Sequence, residues 1–348
     1  MRTGSRTAWR VGLMAYLSML FAGAGWANPP NTDWSTFTIR GQAQGTTYQV
    51  SYYAAKPLIE RRSIDSIVAV IDSSMSLYKP HSQINRFNDS TVTALGLDPH
   101  FRAVLAKSFE IYHRSEGIFD VTVAPLVQLW GFGPKPQEEL PSPLEVRQAL
   151  SCVGMDKIWL QGDTLVKGEQ CVRIDLNGIA QGYTVDVIAD FIERKGIRQY
   201  VVELGGELRV QGPKPDGSPL RIGIERPAKH GGGGLMQEVL AINTGSVTTA
   251  GSYRRFVEDD GKNLSHHIDP KTGYPFQSDI VSATIYAPDA ITADGYDNVI
   301  MAMKPDQAIA FVDNLPGVEV FIIYIAEDGT TAERMSAGFH QLLADTRN

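Results

Sequence analysis

The stretch Tyr200-Val-Val-Glu-Leu-Gly-Gly-Glu-Leu-Arg-Val210 constrains the fold more than any other part of this sequence. Two β-forming runs flank Gly205-Gly206, and a two-residue glycine loop joins strands as an antiparallel hairpin. Phe37-Thr-Ile-Arg-Gly41 and Thr46-Thr-Tyr-Gln-Val-Ser-Tyr52 read as a second strand pair, joined through Gly41 and Gly45. Ile280–Tyr286 is a further strand, and Val318–Ile325 is expected to close the sheet. Helical spacing appears between these strands. Ile59, Ile64, Ile67, Val68 and Ile71 form one set, and Phe101, Val104, Leu105, Phe109 and Ile111 another that Gly117 stops. Strands and helices mix without strict alternation, which favours an α+β fold with antiparallel pairing. No repeat at solenoid spacing is present.

The 348 residues suffice for one large domain or two intimately packed ones. A formal net charge of −7 argues against nucleic acid as a partner. At the N-terminus, Arg2, Arg6 and Arg10 precede an apolar run, Val11–Ala22, and then Gly25-Trp26-Ala27. This order is that of a cleavable export signal, cut after Ala27, and the apolar run is too short to span a bilayer comfortably. No cysteine lies near the cut, which argues against a lipoprotein anchor. Residues 28–348 are therefore expected to fold as one exported domain in the periplasm. Cys152 and Cys171 have no metal or redox spacing and read as structural, either paired or buried.

Four stretches carry chemistry. Ser265-His266-His267-Ile268-Asp269-Pro270-Lys271-Thr272-Gly273-Tyr274-Pro275 places two imidazoles on a turn-rich segment. It reads either as a proton-transfer site or as a polar loop with a structural Asp-Pro turn. Asp294, Asp297 and Asn298 share one helix face and suit a hard divalent cation, although a solvated helix start is the commoner use of such residues. Trp130-Gly131-Phe132-Gly133 could wall a planar ligand or plug a core. Ile174-Asp175-Leu176-Asn177-Gly178-Ile179-Ala180-Gln181-Gly182 runs from an expected strand into a helix, where glycines let backbone approach a phosphate.

Taken together these segments resemble the ApbE-type flavin transferases. The matching blocks run from Gly45-Thr46-Thr47-Tyr48 through Met75-Ser-Leu-Tyr78, Ser82 and Arg86-Phe87-Asn88. Phe119-Asp120-Val121-Thr122, Asp175-Leu176, Gly182-Tyr183, Asp186 and Gly205-Gly206-Glu207 follow. Gly251-Ser252-Tyr253-Arg254, Ser265-His266, Ile268-Asp269-Pro270, Thr272-Gly273 and Ala293-Asp294 complete the series.

The resemblance implies a single T-fold-related unit of two closely packed α/β subdomains, mostly antiparallel, with FAD in the cleft. It implies cleavage of FAD at its pyrophosphate, transfer of FMN to a serine or threonine of an acceptor protein, and release of AMP. It assigns His266 as the base and Gln44, Tyr78, Ile118, Phe119, Asp120, Asp175, Gln181 and Ile268 to FAD. Mg2+ would take the Gly178 carbonyl with Asp294, Asp297 and Asn298. The acceptor class it implies is a subunit of a membrane redox complex or a nitrous-oxide-reduction regulator. An FAD-binding protein, or a slow FAD pyrophosphatase that supplies flavin, is the alternative. Asn298 stands where the family usually has threonine, Gln181 where it has lysine or glutamate, and Ala250 where it has serine. His267 takes the place of an apolar residue.

Overall fold

The Gly205-Gly206 hairpin lies near the middle of an eight-stranded sheet in the computed structural model, which describes residues 34–135, 137, 139–225, 236–251, 256–259 and 262–344. The expected signal and the Ser252-Tyr253-Arg254 block lie outside the described residues. The strands in chain order are β1 (Ser35–Ala43), β2 (Thr46–Ala54), β3 (Ala94–Gly96), β4 (Ile158–Gln161) and β5 (Thr164–Lys167). Next come β6 (Tyr200–Leu204), β7 (Glu207–Gln211), β8 (Leu220–Glu225), β9 (Met236–Ile242) and β10 (Thr244–Gly251). The last are β11 (Phe256–Asp259), β12 (Lys262–Ser265), β13 (Ile280–Ala287), β14 (Glu319–Ile325) and β15 (Thr331–Met335). The helices are α1 (Arg61–Met75), α2 (Gln83–Phe87), α3 (Pro99–Arg114), α4 (Ala124–Leu129), α5 (Pro143–Leu150), α6 (Ala180–Arg194), α7 (Ala290–Met301) and α8 (Pro305–Val312).

The large sheet runs β1-β2-β6-β7-β10-β13-β14-β15, and every neighbouring pair in it is antiparallel. The fold is therefore the expected mixed α/β arrangement with mostly antiparallel pairing. Short sheets β3-β5-β4, β8-β9 and β11-β12 stand apart from it. Alternation along β6 sends Val202 and Leu204 to one face and Val201 to the other. On the first face, α1 and α6 pack through Ile64, Val68, Val185, Ile188 and Ile192. Farther along it, Ile111 of α3 and Tyr296, Val299 and Ile300 of α7 meet Ala283, Ile285, Val320 and Ile322. The second face is covered by the β8-β9 hairpin and by Phe339. Among the described residues, no helix is long and apolar enough to cross a membrane.

Two local expectations fail. β14 does not close the sheet, because β15 pairs outside it from Phe321↔Met335 to Ile325↔Thr331. Thr331-Ala-Glu-Arg-Met335 is a largely polar edge strand, which hydrophobic patterning passes over. Ile174 does not sit in a strand either. Val172, Ile174 and Leu176 are buried at alternate positions, yet only an isolated bridge, Val123↔Arg173, forms there. The alternation is real, but among the described residues no partner strand pairs with it. Cys152 and Cys171 are disulfide-bonded with Cα atoms 5.4 Å apart, which settles their two readings in favour of pairing.

Candidate active site

Helix α7 is buried almost all round, and that changes the meaning of its charges. Asp294 and Asp297 are only 4% and 5% exposed, so the solvated-helix reading does not hold. Its start is fixed by Asp186 of α6. One carboxylate oxygen of that residue accepts from the Ala290 amide at 3.0 Å, and the other from the Ile291 amide at 2.9 Å. These amides belong to the first turn of α7 and have no intrahelical acceptor. Arg209 on β7 donates to the same carboxylate at 2.8 Å. Burial still pushes the Asp186 carboxyl above its usual range despite these partners.

Gly182 brings α6 and α7 into direct contact. A Cβ there would stand 2.3 Å from the Ala290 carbonyl oxygen, so no larger residue fits. The Gly182 amide donates to Asp294 Oδ2 at 2.7 Å. That glycine therefore serves the helix crossing. Burial, reinforced by the nearby Asp186 charge, raises the Asp294 carboxyl to about 7.

One turn further, three oxygens gather around a single amide nitrogen. Asn298 Nδ2 donates to the Gly178 carbonyl at 3.1 Å, to the Asp294 carbonyl at 3.0 Å and to Asp297 Oδ1 at 2.7 Å. The structure thus brings together all four residues expected to hold a cation. The oxygens at the cluster are the Asp297 carboxylate and the Gly178 and Asp294 carbonyls, while the Asp294 carboxylate lies on the Gly182 amide. All are hard donors, and buried carboxylates are costly without compensation. Among the described residues no cluster of three His, Cys, Asp or Glu side chains could hold a metal. A set this sparse fits an ion that keeps waters or substrate phosphates in its shell, as Mg2+ does.

The histidine segment leaves β12 and turns tightly. Ile268 bridges Pro275, and Asp269 accepts from the Lys271 amide and the Thr272 hydroxyl, each at 2.8 Å. Gly273 has φ +80°, and a Cβ there would meet Val146 at 2.8 Å. Trp130 Nε1 donates to the Gly273 carbonyl at 2.8 Å, while its ring packs with Leu126, Val146, Val153 and Ile268. Trp130 is therefore a core plug that supports the turn. Phe132 points edge-on to His266, with ring centroids 6.2 Å apart. The His266 and His267 rings lie 4.0 Å apart. His267 is buried and shares a hydrogen bond with Asn298, and burial, with His266 beside it, holds its imidazole well below the usual range. His267 thus links the histidine turn to the oxygen cluster.

The residues expected to line FAD fall into four groups. Gln44, at φ +51° in the β1-β2 turn, donates to Thr184 Oγ1 at 2.9 Å, and its Oε1 is buried without a partner among the described residues. Gln181 stands on the same first turns of α6, its amide nitrogen crowding Gly205. The second group is a rib. Phe119 and Asp120 are buried, Ile118 packs half-buried against the core, and Val121 accepts from the Asp175 amide at 2.7 Å. Asp120 receives the Thr122 amide at 2.7 Å, the Thr122 hydroxyl, and the Met155 amide at 3.2 Å. Burial outweighs those bonds and raises its carboxyl. Tyr78 stands apart from both. It is 63% exposed, on a loop whose Leu77 and Lys79 carbonyls are held by Asn85 Nδ2 at 3.1 and 2.9 Å. Ile268 lies in the core beneath the histidine turn.

Sequence reasoning gave no role to Asp186, Arg209 or the contact of His267 with Asn298. The available signal was an aspartate set among Val185, Val187 and Ile188 on the apolar side of α6.

The ApbE family model matches residues 44–322 of this chain. A FAD:protein FMN transferase of Haemophilus influenzae is 35% identical over 312 residues, covering 86% of this chain and 90% of that protein. One from Escherichia coli is 32% identical over 350 residues, covering 97% and 98%. The solved structure of flavin transferase ApbE from Vibrio cholerae superposes with a TM-score of 0.81 at 32% identity, covering 89% of this chain and all of that one. The apo flavinyl transferase ApbE of Pseudomonas stutzeri gives 0.80 at 29% identity, covering 89% and 97%.

Proposed function

The chain belongs to the ApbE family, and on that premise we propose that it is an exported, Mg2+-dependent FAD:protein FMN transferase that modifies a Ser or Thr of a periplasm-facing redox protein. One observation carries the reading. Asn298 Nδ2 ties the Gly178 carbonyl to the buried Asp297 carboxylate and the Asp294 carbonyl of α7, and His267 joins this cluster to His266 on its rigid turn.

In this reaction the acceptor hydroxyl oxygen bonds to the FMN-side phosphorus of FAD. The bond from that phosphorus to the bridging oxygen breaks, and AMP leaves with that oxygen and its electron pair. The hydroxyl proton passes to the imidazole of His266, which must be neutral to receive it. Trp130 and Asp269 hold the turn that aims this ring. Gly178, Asp294, Asp297 and Asn298 would hold the cation, which when bound neutralises charge developing on the pyrophosphate. Gln44 and Gln181 supply amides at the N-terminal end of α6, and the rib of Phe119, Asp120 and Asp175 supplies a rigid wall for the dinucleotide.

The test is incubation with FAD, Mg2+ and candidate acceptors bearing an exposed Ser/Thr motif, read by in-gel flavin fluorescence. A fluorescent acceptor band that chelator abolishes is expected. Absence of covalent flavin on every such acceptor would sink the reading. The exposure of Tyr78 favours a second reading, in which an aromatic laid on the flavin retains FAD without transfer. That version predicts a yellow protein that never labels an acceptor.

A further inference from the structure

The segment that supplies Asp175 and the Gly178 carbonyl lies outside every named helix and strand. Val172, Ile174 and Leu176 are nevertheless buried, so their peptide groups must find partners inside the protein. For Ile174 both partners come from one side chain. Asn88 Nδ2 donates to the Ile174 carbonyl at 2.8 Å, and the Ile174 amide donates back to Asn88 Oδ1 at 2.8 Å. A carboxamide alone among neutral side chains offers a donor and an acceptor side by side, as a peptide group does. Asn88 therefore acts as a strand one residue long.

Its own position is well fixed. It is the C-cap of α2, and its backbone amide donates to the Ile84 carbonyl at 2.9 Å. Buried Lys167 gathers the Phe87, Asp89 and Val172 carbonyls at 2.8, 2.9 and 3.4 Å, which ties the same two segments together a second time. Beyond Ile174 the chain is turned by Asp175 Oδ1, which accepts from the Asn177 amide at 2.8 Å, and it reaches Gly178.

We infer that Asn88 is a positioning residue for the active site. By clamping Ile174 it fixes where Asp175 and the Gly178 carbonyl stand relative to Asn298, and so sets affinity for the divalent cation and for FAD. The inference deepens the proposed function and rests on it for the identity of those ligands.

The test compares wild type with Asn88→Ala, Asn88→Asp and Lys167→Met. Asn88→Asp keeps the shape and the acceptor but turns a second oxygen on the Ile174 carbonyl. Mn2+ affinity by electron paramagnetic resonance and FAD affinity by flavin fluorescence are measured below the melting temperature of each variant. Amide hydrogen exchange is followed without ligand. Both Asn88 variants are expected to weaken Mn2+ and FAD binding about tenfold, in the range of an outer-shell loss. They are also expected to speed exchange at residues 174–178 while leaving the core of α6 protected. Lys167→Met, which spares the Ile174 bonds, is expected to change affinity less than either.

Faster exchange with unchanged affinities would reduce Asn88 to a structural tie and overturn the inference, as would unchanged exchange. If Asn88→Ala does not fold, Asn88→Asp decides. If wild type itself binds neither Mn2+ nor FAD, the functional reading fails, and the exchange result still decides whether Asn88 orders the segment.

Discussion

The two faces of the central sheet are built from the same strands but different chemistry. On β10, Val247 points into a face made of Val201, Leu208, Val210, Leu220, Ile222, Leu240 and Phe339. Its neighbours Ser246 and Thr248 point the other way and bury hydroxyls that lack partners among the described residues. That opposite face carries α6 and α7 with the buried Asp186, Asp294 and Asp297. One face gains stability by excluding water from apolar surface. The other holds desolvated polar groups that cost stability and gain function, as sites commonly do.

The sharpest separation is expected from His266→Ala. Covalent flavin transfer should fall about a hundred- to ten-thousand-fold while FAD binding persists, seen as lost gel fluorescence with retained flavin quenching. Next is Phe339→Ala, which empties a fully buried site stacked on Phe321 at 5.8 Å. It should cost about 3–5 kcal/mol in denaturant unfolding. Its transfer rate and FAD affinity should match wild type, and a loss of either in folded protein would break the division between the faces.

A smaller effect concerns Glu203, the acid on the apolar face opposite Leu208, which accepts from the Gly206 amide at 3.1 Å. Burial raises its carboxyl from 4.5 to about 6. A raised folded value means that its stabilising contribution is complete below the unfolded value and is lost as pH climbs through about 6. Glu203→Gln should remove that dependence, gaining about 1 kcal/mol over wild type at pH 7.5 and nothing at pH 4, by unfolding at both values. Thr248→Val should be smallest, raising stability by up to about 1 kcal/mol because a buried hydroxyl without a partner is replaced by a methyl. Destabilisation instead would mean that this hydroxyl is satisfied, and would blur the contrast.

Much of this was legible in the residues. The Gly205-Gly206 turn gave the antiparallel hairpin, and i, i+3, i+4 spacing put Asp294, Asp297 and Asn298 on one side of α7. What patterning misjudged were places where a side chain substitutes for regular structure, or where polar residues form an edge. Ile174 looks like a strand because it alternates with Val172 and Leu176, but its partner is the side chain of Asn88, 86 positions away. Trp130 in a glycine-rich stretch left a ligand wall and a core plug both open, and the commitment of its indole N–H to Gly273, 143 positions away, decides for the plug.

By itself the sequence determined the main strands and helices, the antiparallel sense and the identity of the chemical groups, because turn chemistry and side-chain periodicity act within a few residues. It also carried the family blocks in order. Only the tertiary structure decided that α7 is buried, that Asp186 and Gly182 seat it against α6, and that His267 meets Asn298. Those outcomes depend on desolvation and close approach between segments far apart along the chain, 112 positions for Gly182 and Asp294, and no local pattern encodes either.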